Sequence, residues 1–148
     1  MPKIDTTLEA LGAEFFVLGK LLLHGISAYK AYDRQRGYDL VCASNTGKSL
    51  TIQVKTLFWA KGNQFSFTNF ESDFTVLVRQ NRVDTGKRIA DRNIPIEPQC
   101  FVIRTSDVKR MSTASKQKSR GHKLSMKPNE LPMFEPYKDK WKVISANL

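Results

Sequence analysis

The 148-residue sequence predicts an α/β domain, and three observations carry that expectation. Leu8, Leu11, Phe15, Leu18 and Leu22 recur at helical spacing. Tyr38–Ala43 and Leu50–Leu57 read as the two strands of one hairpin. Phe74–Arg79 is a continuous apolar run, the mark of a strand covered on both faces. The length suits one domain over residues 1–148 with a real core. At 41% hydrophobic and 26% charged residues, the composition is close to globular averages and argues against wholesale disorder.

The elements follow in order. Thr6-Thr7 offers N-caps for the first helix, and His24-Gly25 is a good C-terminal stop. Ile26–Tyr32, with alternating small and aromatic residues, reads as a strand, and Asp33-Arg34-Gln35-Arg36-Gly37 as a charged loop. Ser44-Asn45-Thr46-Gly47-Lys48 is a turn-rich connector between the hairpin strands. After a turn at Trp59–Gln64, Phe65–Thr68 reads as a short strand. Residues 80–98, with Gly86, Pro95 and Pro98, form a long polar connection. Cys100–Arg104 is the next strand, and Ser106-Asp107 can cap a helix through Val108 and Met111. Tyr137–Ile144 is a last helix or strand that docks Trp141. No repeat, heptad pattern or second core is visible.

No apolar run approaches twenty residues and no signal-peptide pattern is present, so a soluble, cytoplasmic protein without membrane partners is expected. Cys42 and Cys100 lie in apolar strands without a neighbouring Cys or His at zinc spacing, as buried free thiols do. The net charge of +10 is lopsided. Residues 1–78 hold 8 Lys/Arg against 7 Asp/Glu, and residues 79–148 hold 16 against 7. A field of that sign attracts polyanions, although a merely basic soluble protein would share it.

Two constellations carry chemistry. Glu14 projects about 60° from Leu11 and about 40° from Leu18, inside the apolar stripe, where a carboxylate is expensive unless paired or metal-bound. Alone, it also reads as a stripe-edge residue that pairs with a base. In the second hairpin strand Leu50, Ile52 and Val54 point one way, and Thr51, Gln53 and Lys55 the other. If Asp39 faces Gln53 across the hairpin, the two can share a hard cation such as Mg²⁺, with Lys55 on the same face to act on an attacking water.

Glu14 on a helix, then Gly37-Tyr38-Asp39, then Ile52-Gln53-Val54-Lys55-Thr56, resembles the PD-(D/E)xK nuclease superfamily. Within it, the layout looks most like the small Holliday-junction-resolvase-type, restriction-endonuclease-like proteins. The resemblance covers roughly residues 8–105 and is concentrated in these three motifs. It implies an αβββαβ core with a mixed central sheet flanked by helices, and a Mg²⁺-dependent endonuclease hydrolysing DNA phosphodiester bonds, with Mn²⁺ able to substitute. It further implies Asp39 as central metal ligand, with Gln53 at the second carboxylate position and the Val54 carbonyl as a backbone ligand. Lys55 would be the catalytic lysine and Glu14 an outer or second-metal ligand. Homodimers are expected by the same analogy. Gln53 departs from the family's carboxylate, and Tyr38 from its proline. The first departure weakens metal binding by one charge and keeps a rival open: a catalytically silent nucleic-acid-binding or protein-interaction module of the same fold.

Asn45-Thr46-Gly47-Lys48-Ser49 ends like a Walker loop, but Cys42 stands where the pattern needs Gly and a strand follows instead of a helix. Lys48 therefore reads as turn chemistry that reaches toward a phosphate. Residues 109–127 hold seven Lys/Arg with no acid or aromatic ring, and read as a mobile backbone-binding segment. Within it Lys116, Lys118, Arg120 and Lys123 are assigned to nucleic acid. Arg34 and Arg36 are placed to hold phosphates near Asp39.

Overall fold

The computed structural model describes residues 6–32, 37–58, 64–80, 97–114 and 121–148. Helix α1 (Thr6–Leu23) ends at the stop read from the sequence. Gly25 takes φ 74°, Ile26 N–H donates to the Leu21 carbonyl at 3.0 Å, and Gly25 N–H to Leu22 at 3.0 Å. This is a Schellman termination, in which glycine supplies the left-handed residue. The face that packs is not the expected one. Ala13, Val17 and Leu21 are buried, whereas Leu8, Leu11, Phe15 and Leu22 are 65%, 38%, 50% and 52% exposed. The helix is apolar around much of its circumference, so periodicity admits two stripes, and the sheet takes the one with the small Ala13. On that observed line Glu14 lies about 20° from Leu21 and about 60° from Val17. It is still a carboxylate among packed residues.

The strands are β1 (Ala28–Lys30), β2 (Leu40–Ala43), β3 (Ser49–Phe58), β4 (Gln64–Phe67), β5 (Phe74–Gln80), β6 (Gln99–Arg104), β7 (Thr113–Ala114) and β8 (His122–Ser125). The five-stranded sheet has the order β1-β2-β3-β5-β6. Only β3 and β5 run parallel in it, so the sheet is mixed. The hairpin turn at Ser44–Lys48 is closed by Ser44 N–H on the Lys48 carbonyl at 2.8 Å, with Gly47 at φ 85°. The Walker-like string is thus a β-turn. The apolar run of β5 is buried on both sides, as expected: Val76 and Val78 join one cluster and Leu77 the other. β1 is shorter than the strand read over Ile26–Tyr32.

One face of the sheet packs on α1 and on the C-terminal segment, where Trp141 and, in the last helix (Lys142–Ala146), Ile144 are buried. The other face packs on a small sheet of order β4-β8-β7, on α2 (Thr105–Met111) and on Phe134 of α3 (Leu131–Phe134). The reading of residues 109–127 as a mobile segment is corrected for the part described. Met111 closes α2, and Thr113–Ala114 and His122–Ser125 are paired strands. The sequence hid them because β8 buries only Leu124, too little to show a period, and backbone pairing with β4 supplies what side chains do not. Residues 115–120 lie outside the described residues. Helix α2 starts at Thr105, one residue before the expected Ser106-Asp107 cap. Thr105 Oγ1 lies 2.9 Å from both the Ser72 and Thr75 hydroxyls in a buried network. Between β3 and the parallel β5, residues 64–73 contribute the strand β4 where an αβββαβ core has a helix.

Candidate metal and phosphodiester site

The chain enters β2 with one residue too many. Leu40 is the register partner of Ile52, yet the N–H of Asp39 also donates to the Ile52 carbonyl, at 2.8 Å. Two residues against one is the count of a β-bulge, which re-aims a side chain. The Asp39 carboxylate is turned along β3, where Oδ2 accepts the N–H of Val54 at 2.7 Å. Asp39 thereby brackets Gln53, with its backbone on Ile52 and its side chain on Val54. Gly37 supports this entry, because a side chain there would collide with Asn69 and Glu71.

The ten residues of β3 divide by parity. Leu50, Ile52 and Val54 pack in the α1-side core, while Leu57, on the face shared with Gln53 and Lys55, packs in the other. Gln53 is 7% exposed, and its Oε1 is buried with no hydrogen-bond partner among the described residues. The N–H and C=O of one strand residue point to the same side, so the Val54 carbonyl faces the edge that Asp39 occupies. A carboxylate, an amide oxygen and a carbonyl are hard oxygen donors, the set that suits Mg²⁺ or Mn²⁺. The orphaned Gln53 oxygen is what such an ion would satisfy. Among the described residues no three His, Cys, Asp or Glu side chains cluster, so the acidic charge here comes from Asp39 and Glu14.

Lys55 Nζ stands 5.6 Å from the centre of the Phe67 ring on β4, which ties the small sheet to the site. Burial lowers the Lys55 pKa from 10.5, and the Asp39 charge opposes that shift. Burial raises Asp39 above 3.8, the Val54 N–H opposes it, Glu14 raises it further, and Lys55 and Lys30 lower it. The four charges therefore form one electrostatic unit.

Glu14 is not free: Lys30 of β1 forms an ion pair with its Oε2, and the two side chains are 14% and 18% exposed. Lys30 escaped the sequence reading because its neighbours are set by register. It pairs with Leu40, the residue after Asp39, and Ala31 N–H donates to the Asp39 carbonyl at 2.8 Å. The signal that could have found it was the need of an in-stripe glutamate for a counter-charge.

The remaining assigned residues fall elsewhere. Lys48 lies in the hairpin turn, seven residues and about 23 Å along the strand from Lys55, at the opposite end of the β2–β3 ladder from Asp39. Lys123 is on β8, its Nζ donating to Ser66 Oγ at 2.6 Å. Arg34, Arg36, Lys116, Lys118 and Arg120 lie outside the described residues.

No protein-family model and no curated protein matches the sequence. Among solved structures, the chain is similar to a bacterial homing endonuclease, I-Ssp6803I, with a TM-score of 0.61 at 20% identity. The match covers 97% of this chain and 94% of that one. The chain thus shares its mixed α/β fold, a central mixed sheet flanked by helices, with a nuclease.

Proposed function

We propose that the protein is a divalent-cation-dependent endonuclease that hydrolyses DNA phosphodiester bonds. The observation that carries this reading is Asp39 held on the N–H of Val54, the residue after Gln53, whose side-chain oxygen is buried and orphaned, with a lysine of lowered pKa on the same strand. The fold shared with a homing endonuclease and the net charge of +10 support the same substrate.

Asp39, Gln53 Oε1 and the Val54 carbonyl would hold one Mg²⁺ or Mn²⁺. When bound, the ion would polarise the scissile phosphate and lower the pKa of the attacking water. The chain's own groups do the rest. Lys55, as the neutral amine, takes the water's proton at Nζ, and as the ammonium it offsets charge that builds on the phosphate oxygens. The centre of the Phe67 ring lies 5.6 Å from that amine, and the partial burial of the lysine lowers its pKa. Arg34, Arg36, Lys116, Lys118, Arg120 and Lys123 would grip backbone phosphates. Two cuts in a duplex would call for a homodimer.

Supercoiled, linear and four-way branched DNA, each incubated with Mg²⁺, Mn²⁺ or EDTA, tests the activity and its substrate. Cleavage in the metal-containing samples alone is expected. Salt-sensitive binding with no cleavage in either metal would contradict the enzymatic reading. It would favour a silent binding module, the reading to which the missing charge at Gln53 points.

A further inference from the structure

The Glu14–Lys30 pair stands within the electrostatic reach of Asp39, and both partners act on it in opposite senses. Lys30 is held from two sides, by Glu14 and by the Phe15 ring 5.2 Å from its Nζ. It is also pinned by the β1–β2 ladder, opposite the residue that follows Asp39. With Lys55 as the ammonium, Asp39 and Glu14 bring two negative charges against two positive ones from Lys30 and Lys55. The centre is therefore neutral before any ion arrives. A two-ion centre sets its cations about 3.5–4 Å apart and needs carboxylates to screen them. Here Gln53 brings no charge, and Glu14 already has a cation. A second divalent ion would have to displace a largely buried ammonium and leave it unpaired, which is costly.

We infer that Lys30 is a positioning residue, the built-in counter-cation of the site, which reserves Glu14 and fixes the centre at a single divalent cation on Asp39, Gln53 and Val54. The inference rests on the metal-dependent reading above. It takes Glu14 out of the ligand set and gives it a different task, to hold Lys30 beside the strand that carries Asp39.

Mn²⁺ is the probe, titrated into the metal-free 148-residue chain. Calorimetry reads the stoichiometry, and the paramagnetic resonance of unbound Mn²⁺ reads the free ion. The unmodified protein should bind one Mn²⁺ per chain. Glu14→Gln should keep that ion, and Lys30→Arg should behave as the unmodified protein. Lys30→Met should bind a second Mn²⁺, with spin coupling between the two, and adding Glu14→Gln to that variant should return the count to one. Two ions on the unmodified chain, loss of the ion in Glu14→Gln, or a count of one in folded Lys30→Met would overturn the inference. Asp39→Asn separates the two claims. If it leaves Mn²⁺ binding unchanged, the metal site itself is wrong. If it abolishes binding while the unmodified chain holds two ions, only the role of Lys30 is wrong.

Discussion

A buried amide oxygen without a partner costs about 1–3 kcal/mol, and Gln53 Oε1 is such an atom, one residue before the Val54 N–H that holds Asp39 and two before Lys55. Replacing it with Glu adds a third negative charge to a partly buried cluster. Gln53→Glu is expected to melt lower than the unmodified protein in EDTA, and to gain more from saturating Mg²⁺, because a ligand that binds the folded state stabilises it in proportion to its affinity. Thermal melts with and without Mg²⁺ read both effects. Equal gains in the two proteins would mean that residue 53 does not face the ion. Lys55 sets a pH dependence of definite sign. Burial holds its folded pKa below 10.5, so the neutral amine accumulates as pH rises through that lowered value. The cleavage rate should climb with pH and level off before 10.5. Lys55→Arg should lose the climb, since guanidinium keeps its proton, and Lys55→Ala should lose about 10²–10⁴-fold in rate. At this scale Glu14 was legible because it interrupts an apolar helix stripe and Asp39 because it opens an apolar strand, whereas Gln53 and Lys55 were legible because they share the polar parity of theirs. Lys30 was not, because a lysine at the end of a short strand breaks no pattern, and only the register brings it to Glu14.

The elements show where periodicity stops being informative. The start, length and stop of α1 follow from its composition and from Gly25, but its facing does not. Leu22 belongs to the stripe that the sequence favours and is 52% exposed, whereas Leu21 is fully buried. Leu21→Ala should therefore cost about 2–5 kcal/mol and Leu22→Ala no more than about 0.5 kcal/mol, measured by urea denaturation. The reverse order would place the sheet on the other stripe. The hairpin was legible for the opposite reason. A buried strand has two faces, a turn with Gly47 fixes its register, and a slip of one residue would expose Leu50, Ile52 and Val54. The bulge that aims Asp39 was not legible, since it depends on how the chain enters from Gly37, packed against Asn69 and Glu71. Strand β8 stayed hidden because a strand held by β4 on one side and β7 on the other can fold with a single buried Leu124.

Over the whole molecule, the candidate site and the excess positive charge come from different halves of the chain. The carboxylates and Lys55 come from the near-neutral first 78 residues, and most of the positive charge comes from the remainder. The central sheet joins them, with β2 and β3 carrying the site and Phe67 of the small sheet lying against Lys55. DNA binding by such a surface should weaken steeply with salt, with a slope of about −0.9 per phosphate neutralised. Lys123→Ala should reduce that slope by about one, read by fluorescence anisotropy of a labelled duplex across a salt series. An unchanged slope would remove Lys123 from the DNA surface.

The most direct test of the site is the single-turnover rate of nicking of supercoiled plasmid in Mg²⁺, compared among the unmodified protein, Asp39→Asn and Lys55→Ala. Each variant is expected to fold, to bind DNA, and to lose at least about 10²-fold in rate. Nicking at the unmodified rate in both variants would contradict the assignment of this site.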